Sequence, residues 1–550
     1  MIHHRVLSAA VGRNQRVVFQ ASGGKMVVFQ GHLWALIMDA FLQRHRARMF
    51  GILSGCDRVL FRGTLRSISY LDGMERLLAS HHISYRQFSA FVQRVSDRLK
   101  QHAQQLAEKQ RRPFIYLQSA ALSKEDTARD IMERDGIRQG LVCVLSCVEP
   151  CQTYALKKDG QKKHLLLVPA QRKCLHLYFY FVDREFGLIH VRLQTWLPMS
   201  IQVCVNGREY LARRLDRAGI GYEKRDNCFA RIDDLARAQQ MMDELDRRNW
   251  TRFLNVYARK VNPWVAPDNS LKLFGYYWTV RQSEYATDVM FRDAASLAEV
   301  YPALTDHAIR HFHSPDVMRF LGRRTNIRFS GPAHSHLDRR AEGVRVKHWV
   351  EENSIKMYDK QGSVLRIETT INNPRRLKVR RTATRQGRRR KAWLPMRKGV
   401  ADFQRRAEIC RAANGRYLEA LGVVGEPSPT RHLLDPVSKR ITRRGRPYRA
   451  LRPIDPEEAK LFAVLTEGQF LLQGFRNHDL RARLFPHTRH QPDEARKASG
   501  QLSRRLRLLR AHGLIRKVTG TFYYRITKRG HHVMATALKL RQSCCLAAAA

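Results

Sequence analysis

Acidic residues are scarce in this sequence of 550 residues. There are 49 Asp and Glu against 100 Lys and Arg, which gives a net charge of +51 when His is counted as neutral. A surface of that sign attracts polyanions, because each phosphate that a cation neutralises releases condensed counterions. The composition therefore predicts a nucleic-acid partner.

Long apolar runs are also missing. No stretch reaches the roughly 18 apolar residues that a membrane-spanning helix needs. The first twenty residues carry His3, His4 and Arg5 and have no continuous apolar core, so they do not look like a signal peptide. The sequence therefore predicts a cytoplasmic protein with no membrane partner, and it leaves the oligomeric state open.

Cysteines are few and irregularly placed. Ten cysteines in a chain of this length predict reduced, mostly buried thiols rather than a disulfide framework. Cys143, Cys147 and Cys151 recur every four residues, whereas a zinc site would need a CxxC-type knuckle and a fourth ligand. The chain also lacks a Walker loop, a dinucleotide-binding fingerprint and a GxSxG elbow, so nucleotide hydrolysis and acyl transfer have no support.

The most informative pattern lies at the C-terminal end, in residues 456–550. Apolar residues recur there at helical spacing in three segments, which are followed by two short strand-like runs and a last helix. The third segment is rich in arginine on the sides that do not carry its leucine stripe. The predicted elements are helices at 457–467, 477–485 and 494–512, strands at 514–518 and 521–527, and a helix at 528–540.

This order of elements predicts a winged helix-turn-helix domain, with residues 494–512 as the recognition helix and the hairpin as the wing. The stretch LRLLRAHGLIRKVTGTFYYRITKRG (506–530) resembles the winged helix of MarR-type regulators. That resemblance implies DNA binding through this helix and its wing. The DNA-contacting residues predicted in this domain are Arg504, Arg505, Arg507, Arg510, Lys517 and Arg525.

The rest of the chain predicts a mixed α/β body with a largely antiparallel sheet, so the fold class is α+β with the winged helix added. Strand-like runs at 175–182, 188–196 and 200–207 are separated by turn residues. The predicted organisation is an extension (1–50), an α/β body (51–250), its second part (251–420), a linker (421–455) and the winged helix (456–550).

Residues 343–373 predict a three-stranded β-meander, with strands at 344–350, 354–360 and 363–372. Alternation of apolar and polar residues gives it one core face and one basic face with interleaved aromatics. Such a face suits contact with a phosphate backbone and stacking on bases, although a solvated sheet face is the alternative. The predicted contact residues are Lys347, Trp349, Lys356, Lys360 and Arg366.

The stretch IKMYDKQGSVLRIETTI (355–371) resembles phage and plasmid rolling-circle replication initiators, in which a sheet places a tyrosine nucleophile and acidic metal ligands beside a DNA strand. The resemblance implies that Tyr358, Asp359 and Glu368 are catalytic. The sequence departs from that family on the preceding strand, where the nucleophilic tyrosine usually lies and this chain has none.

Metal-assisted strand cleavage needs carboxylates that converge on a divalent ion. Glu284, Asp288 and Glu368 are the candidate ligands, and the ion would be Mg²⁺ or Mn²⁺. Ion pairing with the many arginines is the competing role for Glu284 and Asp288.

A basic arm follows the meander. Residues 375–398 hold twelve Lys or Arg and no acidic residue. This composition predicts a basic hairpin or arm that lies on phosphates, with Arg388, Arg389 and Arg390 as contact residues.

Taken together, these patterns predict a bacterial DNA-binding protein of mobile-element type, similar to a replication initiator or transposase. It would bind duplex DNA, and single strands through the meander, and metal-dependent nicking or strand transfer is an open alternative for the body. A MarR-like transcriptional regulator without catalysis and an RNA-binding, maturase-like protein are the other candidates.

Overall fold

The computed structural model describes most of the chain. The described residues are 17–21, 24–28, 39–160, 165–312, 314–322, 333–340, 343–385, 387–422, 424, 430–443, 445–467, 470–471, 474–486, 488 and 491–542. The predicted extension at 1–50 is thus described only in short pieces.

The chain forms two compact units. Residues 48–414 form one, and residues 415–550 together with 1–47 form the other. In chain order the strands are β1 (Val17–Ala21), β2 (Gly24–Val28), β3 (Met49–Thr64), β4 (Phe114–Tyr116), β5 (Gly140–Lys158), β6 (Leu165–Asp183), β7 (Gly187–Gln194), β8 (Ile201–Asn206), β9 (Tyr222–Arg225), β10 (Cys228–Ile232), β11 (Tyr277–Phe291), β12 (Ala333–Arg340), β13 (Gly343–Val350), β14 (Asn353–Lys360), β15 (Val364–Ile371), β16 (Lys378–Arg385), β17 (Arg388–Pro395), β18 (Ile441–Arg443), β19 (Arg446–Tyr448), β20 (Phe475–Arg476), β21 (Ile515–Lys517) and β22 (Tyr523–Ile526).

An 11-stranded sheet organises the larger unit, in the order β12-β13-β14-β15-β11-β3-β8-β7-β6-β5-β4. All its neighbouring strands are antiparallel except β4 and β5, which are parallel. The α+β class with a largely antiparallel sheet is therefore confirmed. The sheet runs from β3 through β11 to β15, so the two predicted parts of the body share one sheet.

The helices are Asp39–His45, Leu71–Ser80, Phe88–Lys109, Lys124–Arg134, Gly207–Ala218, Leu235–Asp246, Trp250–Val261, Ala294–His311, Ser314–Phe320, Phe403–Leu421, Thr430–Leu434, Pro456–Thr466, Asn477–Leu484, Pro492–Ala511 and Lys528–Gln542. Among the described helices, none combines the length and the apolar character that crossing a bilayer requires.

Strands β5 and β6 carry apolar side chains on both faces. The side chains on the two faces belong to two different hydrophobic clusters. Leu177 and Phe179 belong to the large core of the unit, whereas Tyr178 and Tyr180 pack with Ile131 of the helix Lys124–Arg134. A strand buried on both faces needs a continuous apolar run rather than an alternating one. This explains the continuous apolar run LHLYFYFV at 175–182, which is the most strand-like stretch of the sequence.

The three strands of the meander are confirmed at 343–350, 353–360 and 364–371, and the register follows the predicted alternation. Arg345 faces Tyr358, and Tyr358 faces Arg366. The meander does not stand alone, because β12 pairs with its first strand and β11 with its last. It is one end of the large sheet.

We call the unit that contains residues 415–550 the C-terminal unit. The helices and the hairpin predicted within 456–550 are all present in it. Strand β20 joins the hairpin in a three-stranded antiparallel sheet of order β20-β22-β21. Leucines from the helices Pro456–Thr466, Asn477–Leu484 and Pro492–Ala511 share one core with Phe462 and Phe475. Gly513 follows the helix Pro492–Ala511 with a φ of 75°, a left-handed conformation that glycine adopts at low cost and that ends a helix.

The predicted linker is folded in part. Leu434, Val437 and Leu451 contribute to the core of the C-terminal unit, and β18 pairs with β19. The proline and glycine content indicated a break between domains, but apolar residues between these breakers pack on the core. The boundary between the two units lies instead at 414–415, within the helix Phe403–Leu421.

Candidate nucleic-acid interface

A buried network of charges holds the centre of the large sheet together. Arg366 Nε donates to Asp288 Oδ1 at 2.6 Å, and Arg366 Nη2 donates to Asp288 Oδ2 at 2.9 Å. Arg366 Nη1 also donates to Asp57 Oδ2 at 2.9 Å, and Nη2 donates to the Asn227 carbonyl at 2.7 Å. Arg208 Nη2 lies 2.9 Å from Asp288 Oδ2. We call these four side chains, Asp57, Arg208, Asp288 and Arg366, the buried charge network.

The network is electrically balanced, with two guanidinium groups and two carboxylates. Each of the four side chains is almost fully buried. Burial raises the pKa of Asp288, but Arg208 and Arg366 outweigh it and hold that pKa below its ordinary value. A buried carboxylate satisfied by two arginines is a structural partner rather than a metal ligand.

The structure does not favour the prediction that Arg366 and Lys360 contact DNA, because both side chains are buried. Arg366 is 1% exposed and its donors are used inside the sheet. Lys360 is 6% exposed, and its Nζ lies 2.7 Å from Asp226 Oδ2. Alternation assigned both residues to the correct face of the meander, but neighbouring elements cover that part of the face.

Tyr358 and Glu368, two of the three predicted catalytic residues, lie in contact on the neighbouring strands β14 and β15. Tyr358 Oη donates to Glu368 Oε2 at 2.9 Å, and Lys356 Nζ lies 2.7 Å from Glu368 Oε1. Tyr358 is 7% exposed and Glu368 is 1% exposed. Burial and the charge of Glu368 raise the pKa of Tyr358 well above its ordinary value. The hydroxyl is thus hard to ionise and poorly accessible, which is unfavourable for a nucleophile.

Asp359 does not join this pair. It follows Tyr358 directly on β14, so its side chain points to the opposite face of the sheet. Burial raises the pKa of its carboxyl group. The three predicted catalytic residues therefore do not converge.

Glu284 is the predicted metal ligand with the least complete pairing. It lies on β11, two residues before Ala286, which pairs with Glu368. Glu284 and Glu368 are therefore on the same face of the sheet. Burial, followed by the charge of Glu368, raises the pKa of Glu284 to about 7. Gln282 Nε2 donates to Glu284 Oε1 at 2.9 Å. Among the described residues no group of three or more His, Cys, Asp or Glu side chains is placed to hold a metal ion.

Lys347, Trp349 and Lys356 lie on the part of the meander face that is half-buried. Lys347 Nζ lies 4.4 Å from the centre of the Trp349 ring. Lys356 is 17% exposed and is engaged by Glu368. This corner keeps one aromatic ring and one cation close to the surface, which is much less than the continuous basic platform predicted from alternation.

The basic arm is a β-hairpin, formed by β16 and β17 with Arg385 facing Arg388 next to the turn. Arg389 and Arg390 are exposed, whereas the side chain of Arg388 lies outside the described part. We call Lys378–Arg385 together with Arg388–Pro395 the basic hairpin.

The helix Pro492–Ala511 presents cations to solvent, and we call it the basic helix. Its buried residues are Ala498, Leu502, Leu506 and Leu509. Asn477, at the start of the preceding helix, ties the two helices together, since its Nδ2 donates to the Ser499 carbonyl and to Ser503 Oγ, each at 2.9 Å. The exposed cations of the basic helix are Arg496, Lys497, Arg504, Arg507 and Arg510.

Arg505 differs from its neighbours. Its Nη2 lies 2.9 Å from Glu457 Oε2 on the helix Pro456–Thr466, and it is only 22% exposed. Arg504 and Arg507 have no carboxylate partner among the residues that the structure describes. The helix therefore carries a stripe of unneutralised charge, with Arg505 turned towards the domain.

The hairpin β21–β22 carries Lys517 and Arg525, both exposed. Its tip includes Phe522, which is 81% exposed, and Lys517 Nζ lies 4.8 Å from the centre of that ring. Sequence reasoning did not select Phe522, although an aromatic residue two positions after Gly520 was a visible signal.

Cys143, Cys147 and Cys151 are free and buried, as expected. No family model matches the chain, and comparisons with curated proteins and with solved structures found no match either.

Proposed function

We propose that this protein binds duplex DNA through the basic helix, with the C-terminal unit acting as a winged helix and β21–β22 as its wing. The main support is the stripe of exposed cations on the basic helix. Among the described residues, Arg504 and Arg507 in this stripe have no carboxylate partner. Helices of this kind lie in the major groove, while cations on the helix and wing contact phosphates.

The dimensions of the stripe agree with this proposal. From Lys497 to Arg510 the helix rises about 20 Å, at 1.5 Å per residue. The leucines on the opposite side are buried in the core of the unit, and Asn477 fixes the helix to the preceding one. Charged groups that are held rigidly and left unpaired favour a polyanion over a neutral partner.

The mobile-element role belongs to the same proposal. The chain has a further unit of residues 48–414, which is more than a simple repressor needs, and this supports a replication initiator or transposase-like role over a MarR-like regulator. An RNA-binding, maturase-like protein would instead prefer A-form duplexes or single strands.

Binding of one labelled duplex to the full chain tests the proposal. Arg504→Ala combined with Arg507→Ala should weaken duplex binding, because two cations that neutralise phosphates are removed. Arg505→Ala is the matched control for the single variant Arg504→Ala, and it should weaken binding less because Glu457 already engages that guanidinium. Equal losses of affinity from Arg504→Ala and from Arg505→Ala would contradict the assignment of the exposed stripe.

Metal-dependent strand nicking is the second candidate. Burial raises the pKa of Glu284, and the charge of the nearby Glu368 raises it further. Mg²⁺ bound by one or two carboxylates retains several waters, which is compatible with so small a ligand set. However, Lys356 and Tyr358 already occupy both oxygens of Glu368, so the residues present fit structural pairing better than a metal site.

A further inference from the structure

The basic hairpin is fixed at its base and projects away from it. Leu377, Val379 and Met396 are buried in one small core with Tyr285 and Ile371 of the large sheet. The Met396 amide donates to the Leu377 carbonyl at 2.8 Å and closes the base. The tip turns at Gly387, which has a φ of 73°. The hairpin therefore holds its faces in a defined orientation relative to the sheet.

Strand alternation gives this hairpin one face with an exposed aromatic ring. Trp393 faces Arg380 across the strands, and Lys391 faces Thr382 on the same side. Trp393 is 65% exposed, an unusual position for so large an apolar side chain. Arg380 and Lys391 beside it are also exposed.

The charge of this face is not neutralised. Neither Arg380 nor Lys391 has an ion-pair partner among the residues that the structure describes. Asp402 is the carboxylate that the described part of the chain places within ion-pair distance of the hairpin, and it lies 3.8 Å from Arg381, which points to the other face. An uncompensated basic face around an exposed ring fits a polyanion that also offers flat apolar groups.

We propose that this face of the basic hairpin binds single-stranded nucleic acid, with Trp393 stacking on an unpaired base and with Arg380 and Lys391 contacting the flanking phosphates. Single strands present both groups, since their bases have free faces and their backbone is charged. In a duplex the bases stack on each other, so an intact duplex could use the charges of this face but not the ring. The proposal concerns the 48–414 unit and goes beyond the duplex binding proposed for the C-terminal unit.

The test measures binding of the full chain to oligothymidylate, to oligouridylate and to a short duplex at one salt concentration. Trp393→Ala should weaken binding to at least one of the single strands by about 5-fold to 150-fold, the loss expected for one stacked base. Trp393→Phe should keep most of the affinity. Phe274→Ala, which removes another exposed ring (84% exposed), is the matched control and should have no effect.

The two oligomers distinguish the sources of the strand. A loss with both supports recognition of unpaired bases in general, and a loss with one alone supports the proposal and identifies the sugar. Unchanged affinity for both oligomers, or an equal loss for the duplex, would overturn it. Binding of poly-glutamate with the same dependence on Trp393 would also overturn it in favour of an acidic polypeptide. Duplex binding by the Arg504→Ala, Arg507→Ala variant tests the proposal for the basic helix. Its failure is therefore distinguishable from a failure of the proposal for the basic hairpin, which depends on Trp393.

Discussion

Arg366 and Asp288 form a bidentate ion pair inside the sheet, with Nε–Oδ1 at 2.6 Å and Nη2–Oδ2 at 2.9 Å. The same guanidinium reaches Asp57, a residue 309 positions away in the chain. The pair therefore fastens the meander strand β15 to β11 and β3. These contacts give Arg366 a structural role in place of the DNA contact predicted from the sequence.

Arg366→Met should destabilise the 48–414 unit by about 3–5 kcal/mol, because it leaves buried carboxylates without their cation. Denaturant unfolding of the full chain measures this effect. The exposed Arg375→Met is the matched control and should change the unfolding free energy by no more than about 0.5 kcal/mol. A similar small change for Arg366→Met would contradict the structural role of the network.

Tyr358→Phe should cost stability rather than binding. It removes the hydroxyl group that donates to Glu368 Oε2, and a buried acceptor that loses its donor costs about 1–3 kcal/mol. Unfolding and single-strand binding of the same variant provide the two measurements, with the exposed Tyr70→Phe as control. Loss of binding without loss of stability would show that the Tyr358 hydroxyl contacts the DNA strand, and it would contradict a purely structural role.

The stability of the 48–414 unit should fall as pH rises through the range set by Asp246. Burial raises the pKa of Asp246 from 3.8 to about 8, even though Arg411 Nη2 lies 3.7 Å from its Oδ2. Between these two values the folded chain keeps a proton that the unfolded chain loses, so the unfolding free energy decreases with increasing pH.

Asp246→Asn should remove this part of the dependence and make the unit relatively more stable on the alkaline side. Unfolding measured at several pH values between 3.8 and about 8 compares it with wild type. The exposed Asp268→Asn should follow the wild-type curve. An Asp246→Asn curve parallel to wild type would show that the Asp246 carboxyl group titrates normally.

Supercoiled plasmid incubated with the protein should stay intact with Mg²⁺ or Mn²⁺ and equally with EDTA. The expectation follows from the pairing of Glu368 with Lys356 and Tyr358 and of Asp288 with two arginines. Metal-dependent nicking that disappears in Glu368→Gln would establish the enzymatic alternative.

Local patterns predicted the elements well where one face is apolar. The meander strands and the three C-terminal helical segments follow from period-two and helical spacing alone. Alternation also placed Lys360 and Arg366 on the right face. It could not show that this face is covered, because the covering partners Asp57, Arg208 and Asp226 are far away in sequence.

The basic hairpin shows the same limit in another form. Its charge was visible in the sequence, but the pairing of Arg380 with Trp393 depends on where the turn falls. The site residues Asp288 and Glu284 were predicted either to bind metal or to pair with arginine. For Asp288 the geometry shows arginine pairing, and it depends on Arg208 from a different element.

The salt dependence of duplex binding tests the central claim most directly. The logarithm of affinity falls with the logarithm of salt concentration by about 0.9 for each phosphate that the protein neutralises. If the exposed stripe of the basic helix binds the duplex, Arg504→Ala with Arg507→Ala should reduce that slope by about 2, because two phosphates are then no longer neutralised. An unchanged slope in this variant would contradict DNA binding through the basic helix.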